Sequence, residues 1–216
     1  MCIVSIFSDE KGNFILTQNR DETYLRPTSA KVETRKIGEE TFTGPVDLVS
    51  GGTWIYYSGK YVACILNGAY QKHSHKPPYK MSRGLAILEL MKYNSIDEFM
   101  DKTDLDGIEP FTMIMIDRHR REKKILVWDG IKKYKEDVSD EKLIIRSSST
   151  LYTEGEKQKH RQYFLNLNSC GPDKIFELQD KIKMLENDKF PTVRTTSVTQ
   201  IIQKDNEISL KFCPVI

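Results

Sequence analysis

Short apolar runs, rich in β-branched residues and broken by polar turns, fill the first third of the chain. Cys2-Ile3-Val4-Ser5-Ile6-Phe7 and Asn13-Phe14-Ile15-Leu16-Thr17-Gln18 flank the turn-rich Ser8-Asp9-Glu10-Lys11-Gly12, a pattern that predicts an antiparallel hairpin. With the turn centred near Glu10 or Lys11, paired residue numbers sum to roughly 21. Cys2 then faces Asn19. Residues 42–48 predict a further strand. Residues 53–58 and 61–66 predict a second hairpin, joined by Gly59-Lys60 as a type II′-like turn with Gly first. Its pair numbers sum to about 119, which returns Asn67 beside Gly52.

Helical periodicity begins at 82–93, with Leu85, Leu88 and Met91 on one face. Residues 95–102 follow with Ser95 and Glu98 spaced as a capping box. Strands resume at 111–116, 124–128 and 142–145. Two more helices are predicted over 154–167 and from Pro172, the latter repeating Ile175, Leu178, Ile182 and Leu185. Residues 193–203 and 207–212 close the chain as a hairpin. Strands, two helices, strands, two helices, strands is an order that suits two sheets stacked face to face with helices outside. The irregular segment 67–81 reads either as a lid or substrate-binding loop or as an ordinary surface excursion. With no repeat and no linker, residues 1–216 are expected to form a single domain.

Composition narrows the function classes. The 216 residues are 38% hydrophobic and 30% charged, which suits a globular protein with a well-hydrated surface. A formal net charge of +2 with interleaved acids and bases excludes a basic stripe, so no nucleic-acid partner is expected. No apolar run reaches membrane-spanning length, and no signal-like segment opens the chain, so neither a membrane span nor a cleaved leader is expected. Cys2, Cys64, Cys170 and Cys213 are widely spread without a CxxC, which indicates neither zinc nor a disulfide framework and fits a reduced, cytoplasmic setting. The last three read as inert thiols, and oligomeric state is not indicated.

Candidate chemistry sits at the start. Removal of Met1 would leave Cys2 with a free α-amine, which titrates near pH ~7.7–8.0 and can serve as a general base beside the thiol. The competing reading is a small buried hydrophobe. Asn19-Arg20-Asp21-Glu22 emerges beside this terminus. Arg20 next to a thiol lowers its pKa, and Asp21 can accept a hydrogen bond from the α-amine. The alternative is a solvated charged bend worth under ~1 kcal/mol. Trp54 reads as core or pocket wall. His73-Ser74-His75, flanked by lysines and Pro77-Pro78, has no companion Asp, Glu or Cys and reads as a solvated loop, so no metal is expected.

Met1-Cys2-Ile3, Asn19-Arg20-Asp21-Glu22 with Arg26-Pro27, Gly51-Gly52-Thr53-Trp54, Leu66-Asn67 and Ser82-Arg83-Gly84 together resemble the NRDE family. That family includes the transport and Golgi organisation protein 2 homologues and is related to the N-terminal-nucleophile hydrolases, among them bile salt hydrolases and penicillin V acylases. The likeness resumes at Arg146-Ser147-Ser148-Ser149 and Val193-Arg194-Thr195-Thr196. It departs at Ile65-Leu66-Asn67, where a Thr commonly precedes the Asn, and at Val193, where a Gly often precedes the Arg. The resemblance implies an α+β fold, a four-layer αββα sandwich of two antiparallel sheets. It implies Cys2 as nucleophile, Arg20 and Asp21 as tuning and orienting groups, and Asn67 as a donor to the oxyanion. It further implies Arg194 as a distal Arg, with Asn19, Trp54, Ser148 and Ser149 as substrate contacts. For Asn67 a turn role before Gly68 competes, and for Arg194 a surface strand position. The implied activity is hydrolysis of a small linear non-peptide amide, with no cofactor. The alternative is a non-catalytic carrier of haem or an acyl lipid in the same pocket.

Overall fold

The computed structural model describes residues 2–167, 171–185 and 189–215. Its strands and helices run β1 (Cys2–Ser8), β2 (Phe14–Thr23), β3 (Glu33–Ile37), β4 (Glu40–Gly44), β5 (Ile55–Ser58), β6 (Tyr61–Asn67), α1 (Arg83–Ala86), a 3-10 helix (Ile87–Lys92) and α2 (Ile96–Lys102). They continue with β7 (Phe111–Asp117), β8 (Glu122–Trp128), β9 (Lys133–Asp137), β10 (Leu143–Ser147), α3 (Glu154–Leu165), α4 (Pro172–Lys181), β11 (Val193–Lys204) and β12 (Glu207–Pro214). These elements divide into two compact units, residues 1–26 with 141–216, and residues 27–140. Each is built on one antiparallel sheet.

The first unit's sheet has the order β10-β1-β2-β11-β12. The β1–β2 hairpin pairs Ser8 with Phe14 and Cys2 with Arg20, one residue beyond the expected register, so Arg20 rather than Asn19 faces Cys2. The loop explains the slip. Asp9 Oδ1 accepts the N–H groups of Lys11 and Asn13, each at 2.9 Å, and Gly12 takes a left-handed φ of 87°. That closes a short hairpin loop with a glycine in the position where most side chains are strained. Helices α3 and α4 cover one face of this sheet. Ile3, Leu151, Tyr152 and Phe164 form the centre of the apolar layer, with Phe7, Leu178 and Ile182 packed around it. Thr153 starts α3 with a complete capping box to Glu156. Helix α4 stops at Lys181, short of the predicted Leu185, which is 76% exposed.

The second unit's sheet has the order β3-β4-β5-β6-β7-β8-β9. Strands β6 (YVACILN) and β7 (FTMIMID) are buried almost end to end, the signature of strands covered on both faces. The edge strands β3 (ETRKI) and β9 (KYKED) escape a hydrophobicity reading because their charges blunt the open edges. The β5–β6 hairpin keeps its expected register, Ile55 opposite Cys64. Its turn is not type II′: Gly59 has no left-handed φ, and Ser58 Oγ instead accepts the N–H groups of Lys60 and Tyr61. The strand predicted over 42–48 stops at Gly44 because Pro45 has no N–H to continue the ladder. The helix predicted over 82–93 is one α-turn followed by the 3-10 helix. The tighter winding aligns Ile87 with Leu90 and Leu88 with Met91, and all four are buried. Only half of the predicted capping box forms, since Glu98 accepts the N–H of Asn94 rather than that of Ser95. Among the described residues no helix is long and apolar enough to cross a membrane.

Candidate active site

The first unit gathers Cys2, Asn19, Arg20, Asp21, Ser148, Ser149 and Arg194; the second carries Trp54 and Asn67. Cys2 opens β1 and is 2% exposed, and its carbonyl accepts the Ser148 N–H at 2.9 Å. Being directly opposite, Arg20 shares its sheet face. Between Thr195 and Ser197 the β2–β11 pairing carries a bulge, so one extra residue enters β11. Bulges beside functional positions re-aim side chains. Here consecutive threonines serve two different partners. Thr195 Oγ1 donates to Asp21 Oδ1 at 2.6 Å. The Thr196 hydroxyl donates to the Arg20 carbonyl at 3.1 Å and accepts from Arg20 Nη1 at 3.3 Å. Tyr152, one residue before the α3 N-cap, donates its hydroxyl to Asp21 Oδ2 at 2.6 Å.

Burial dominates the electrostatics. It pushes the Cys2 thiol above its ordinary value, and the Asp21 charge adds to this, while the positive amino terminus, Arg20 and the Asp21 backbone N–H pull the other way. Arg20 lowers the thiol as expected, but the net direction is up, because taking the sulfur out of water outweighs the nearby positive charge. A neutral thiol of this kind needs a base. Burial likewise raises the Asp21 carboxyl to about 6, against the pull of its donors Thr195 and Tyr152. Burial lifts the Tyr152 phenol further from ionisation, so it stays a donor.

Because folding raises the Asp21 pKa, the folded chain holds that proton to higher pH than the unfolded chain. The resulting stabilisation is complete below about pH 4 and lost as pH rises through about 6, on the order of 3 kcal/mol in all. Asp21→Asn removes this titration. Urea denaturation from pH 4 to 7 is expected to shift the stability difference toward the variant by that amount, and a pH-independent difference would show that Asp21 does not titrate with folding.

Asn19 lies opposite Ile3, on the helix-covered face, and its Nδ2 donates to the Gln179 carbonyl of α4 at 2.9 Å. Gln179, fully buried, also donates to the Ile3 carbonyl at 3.0 Å, so this pair ties α4 to the hairpin. Ser148 is buried, its hydroxyl 2.9 Å from that of Thr150, and Ser149 is half-buried. Arg194 lies opposite Glu22, with its guanidinium 5.1 Å from the Tyr24 ring centroid. Trp54 is buried, and its carbonyl accepts the Ile65 N–H; Asn67 pairs with Phe111 at the end of β6. Sequence reasoning missed Tyr152, Gln179 and the role of Thr195. Only Thr195 left a signal, as part of a quoted motif. Cys170 lies outside the described residues, and so does Met1, whose removal is expected. A cavity of about 870 Å³ lies elsewhere in the first unit, lined by Phe7, Phe14, Leu143, Phe164 and Ile202 among others, and none of its lining residues is a predicted site residue.

The segment after β6 is not free of acid partners as expected: Glu109 Oε1 lies 3.1 Å from His73 Nε2 and 3.3 Å from His75 Nδ1, and Glu109 Oε2 pairs with Arg83. The acid stands far from the histidines in sequence, which hid it. Among the described residues no group of three or more His, Cys, Asp or Glu is arranged to hold a metal.

The fold defines a class. Conjugated bile acid hydrolase from Clostridium perfringens, in an arginine-to-leucine variant, superposes over 100% of this chain and 97% of its own with a TM-score of 0.60 at 9% identity. Penicillin V acylase from Agrobacterium tumefaciens matches over 99% of this chain and 86% of its own, TM-score 0.58, at 9% identity. A further mutant structure of the Clostridium hydrolase gives 0.57 at 10% identity, covering 98% and 92%. The chain therefore has the α+β fold of the N-terminal-nucleophile hydrolases, with two antiparallel sheets. Its sequence matches the family described as Transport and Golgi organisation 2 over residues 1–213, and it belongs to that family. No curated protein matches it in sequence.

Proposed function

We propose that the chain is a cysteine amidohydrolase with Cys2 as nucleophile at a matured amino terminus, acting on a small linear non-peptide amide. The observation that carries this reading is the Cys2 sulfur itself: buried at the head of β1, held toward the neutral thiol, and set beside Arg20 and Asp21. Such a thiol reacts only if a base takes its proton as the bond forms, and an α-amine on the same residue is such a base. The amine accepts the Sγ proton while sulfur bonds to the amide carbonyl carbon. The C–N bond then breaks, the leaving amine takes that proton, and a thioester remains. Water attacks the thioester, releasing the acid and restoring the thiol.

In this proposal Arg20 and Asp21 orient the terminus. Asn67 donates to the oxyanion, a role whose loss typically costs ~10²–10³ in turnover. Arg194, Asn19, Trp54, Ser148 and Ser149 keep their roles by resemblance. Residues 1–216 act as one domain, which the single family match over 1–213 supports.

Two mass measurements test the proposal. The purified protein should lack Met1, and an electrophilic acyl probe should form one adduct, on Cys2 rather than on Cys64, Cys170 or Cys213. Uniform retention of Met1, or an adduct only at another cysteine, overturns it. Retention of Met1 with haem or acyl lipid bound would favour the carrier reading instead.

A further inference from the structure

We infer that Tyr152 is the positioning residue of this site: its hydroxyl, with that of Thr195, clamps the Asp21 carboxylate one donor to each oxygen beside Cys2. The inference rests on Cys2 being the nucleophile, and neither residue receives a role from the resemblance. The directions of both donors are forced. Thr195 Oγ1 already accepts the Met184 N–H at 2.8 Å, so its single proton points to Asp21. Tyr152 has one proton, and at 2.6 Å it is spent on the other oxygen. Two charge-assisted bonds leave the carboxylate no rotational freedom.

The turn that delivers Tyr152 is itself bound to the nucleophile strand. Ser148 donates its N–H to the Cys2 carbonyl, and the Ser148 carbonyl accepts the Tyr152 N–H at 3.1 Å. The Tyr152 ring stands edge-on to His160 at 4.7 Å, and the His160 Nδ1 lies 3.0 Å from the Ser147 hydroxyl. Burial favours the neutral form of His160, against the pull of Glu156. Besides its two donors, Asp21 feels the amino terminus and Glu22, and it acts on Cys2; Tyr152 feels Cys2 and Glu156. A single backbone turn thus fixes both the start of β1 and the acid beside it. A change at Tyr152 is therefore transmitted to the Cys2 site through Asp21.

The test follows the Asp21 carboxyl carbon by ¹³C NMR titration in aspartate-labelled full-length protein, alongside the pH profile of Cys2 alkylation by iodoacetamide. Tyr152→Phe removes a donor to the charged form and should raise the Asp21 midpoint by about one to two pH units, with the acid limb of alkylation moving the same way. Incorporation of 3-fluorotyrosine at position 152, a more acidic phenol of nearly the same size, should move both down, which keeps the test decisive if Tyr152→Phe folds poorly. An unchanged midpoint overturns the inference. So does a moved midpoint with an unmoved alkylation profile, because Tyr152 would then be structural only. If wild-type Cys2 takes no label at any pH, the nucleophile reading falls, while the Asp21 midpoint still decides the clamp.

Discussion

The Cys2→Ala protein is expected to fold and to lose amide turnover by about 10⁴-fold or more, the scale seen when a covalent nucleophile is deleted. Its side chain is small, so trimming it removes only one buried sulfur, on the order of 1 kcal/mol. The groups around it keep their own partners: Asp21 its two hydroxyls, Arg20 its Thr196 contact. The fold therefore has no reason to change while the reaction has no nucleophile. The measurement is turnover of a panel of linear acyl p-nitroanilides, paired with a thermal melt. Cys64→Ala is the control, an equally buried thiol on β6 with no part in the proposal. Turnover by Cys2→Ala within tenfold of wild type would remove Cys2 from the reaction. A parallel loss in Cys64→Ala would point to stability as the cause.

Gly52→Ala is expected to destabilise the fold far more than one added methyl group usually does. A Cβ at that position sits 2.2 Å from the Gly84 carbonyl carbon, 2.3 Å from its oxygen and 2.7 Å from the Leu85 nitrogen. All three are backbone atoms and cannot rotate away. Overpacking typically costs 1–3 kcal/mol when side chains can yield, and a backbone collision lies at or beyond the top of that range, about 3 kcal/mol or more. At this chain length that lowers the melting temperature by about 10 °C or leaves little folded protein. The contact is held from both sides, since the Thr53 N–H donates to the Gly84 carbonyl at 2.9 Å and the Asp47 N–H to the Gly52 carbonyl at 2.8 Å. Gly59→Ala, with nothing within 4 Å and no left-handed φ, should stay within about 0.5 kcal/mol of wild type. Equal melting temperatures for Gly52→Ala and wild type would refute the packing argument. The contact also explains why Gly51-Gly52-Thr53-Trp54 and Ser82-Arg83-Gly84 occur together: the two motifs are opposite sides of one backbone approach.

Asp21 ties stability to the proposed chemistry. A buried carboxylate that ionises above its ordinary range weakens the fold at neutral pH. The two hydroxyls that hold it limit that cost without cancelling it. An apolar residue at this position would stabilise the unit more and would have no charge to present to an amino terminus, the trade between stability and function found at many active sites.

Much of this arrangement is written locally in the chain. Apolar runs rich in β-branched residues mark β1, β2, β6 and β7, and the two-residue turn sets the β5–β6 register although its turn type differs. The short motifs place Cys2, Arg20 and Asp21 together without any long-range information, because a hairpin's partners are near in sequence. Charged β3 and β9 give no apolar signal, since edge strands carry the polar residues that a buried-strand pattern excludes.

The tertiary structure alone decided the chemistry around those three residues. Tyr152 and Thr195 reach Asp21 across 131 and 174 positions, and Gln179 reaches Ile3 across 176. No periodicity encodes such pairs. The sign of the thiol's shift was likewise invisible: a neighbouring arginine is a local fact, but loss of water is imposed by every segment that covers the sulfur. Apolar runs and the turns that break them are properties of a few consecutive residues, and so the chain by itself determined strands, hairpins and the candidate nucleophile. Partners and desolvation come from segments distant in sequence, and so only folding determined which groups hold Asp21 and why Cys2 rests as a thiol.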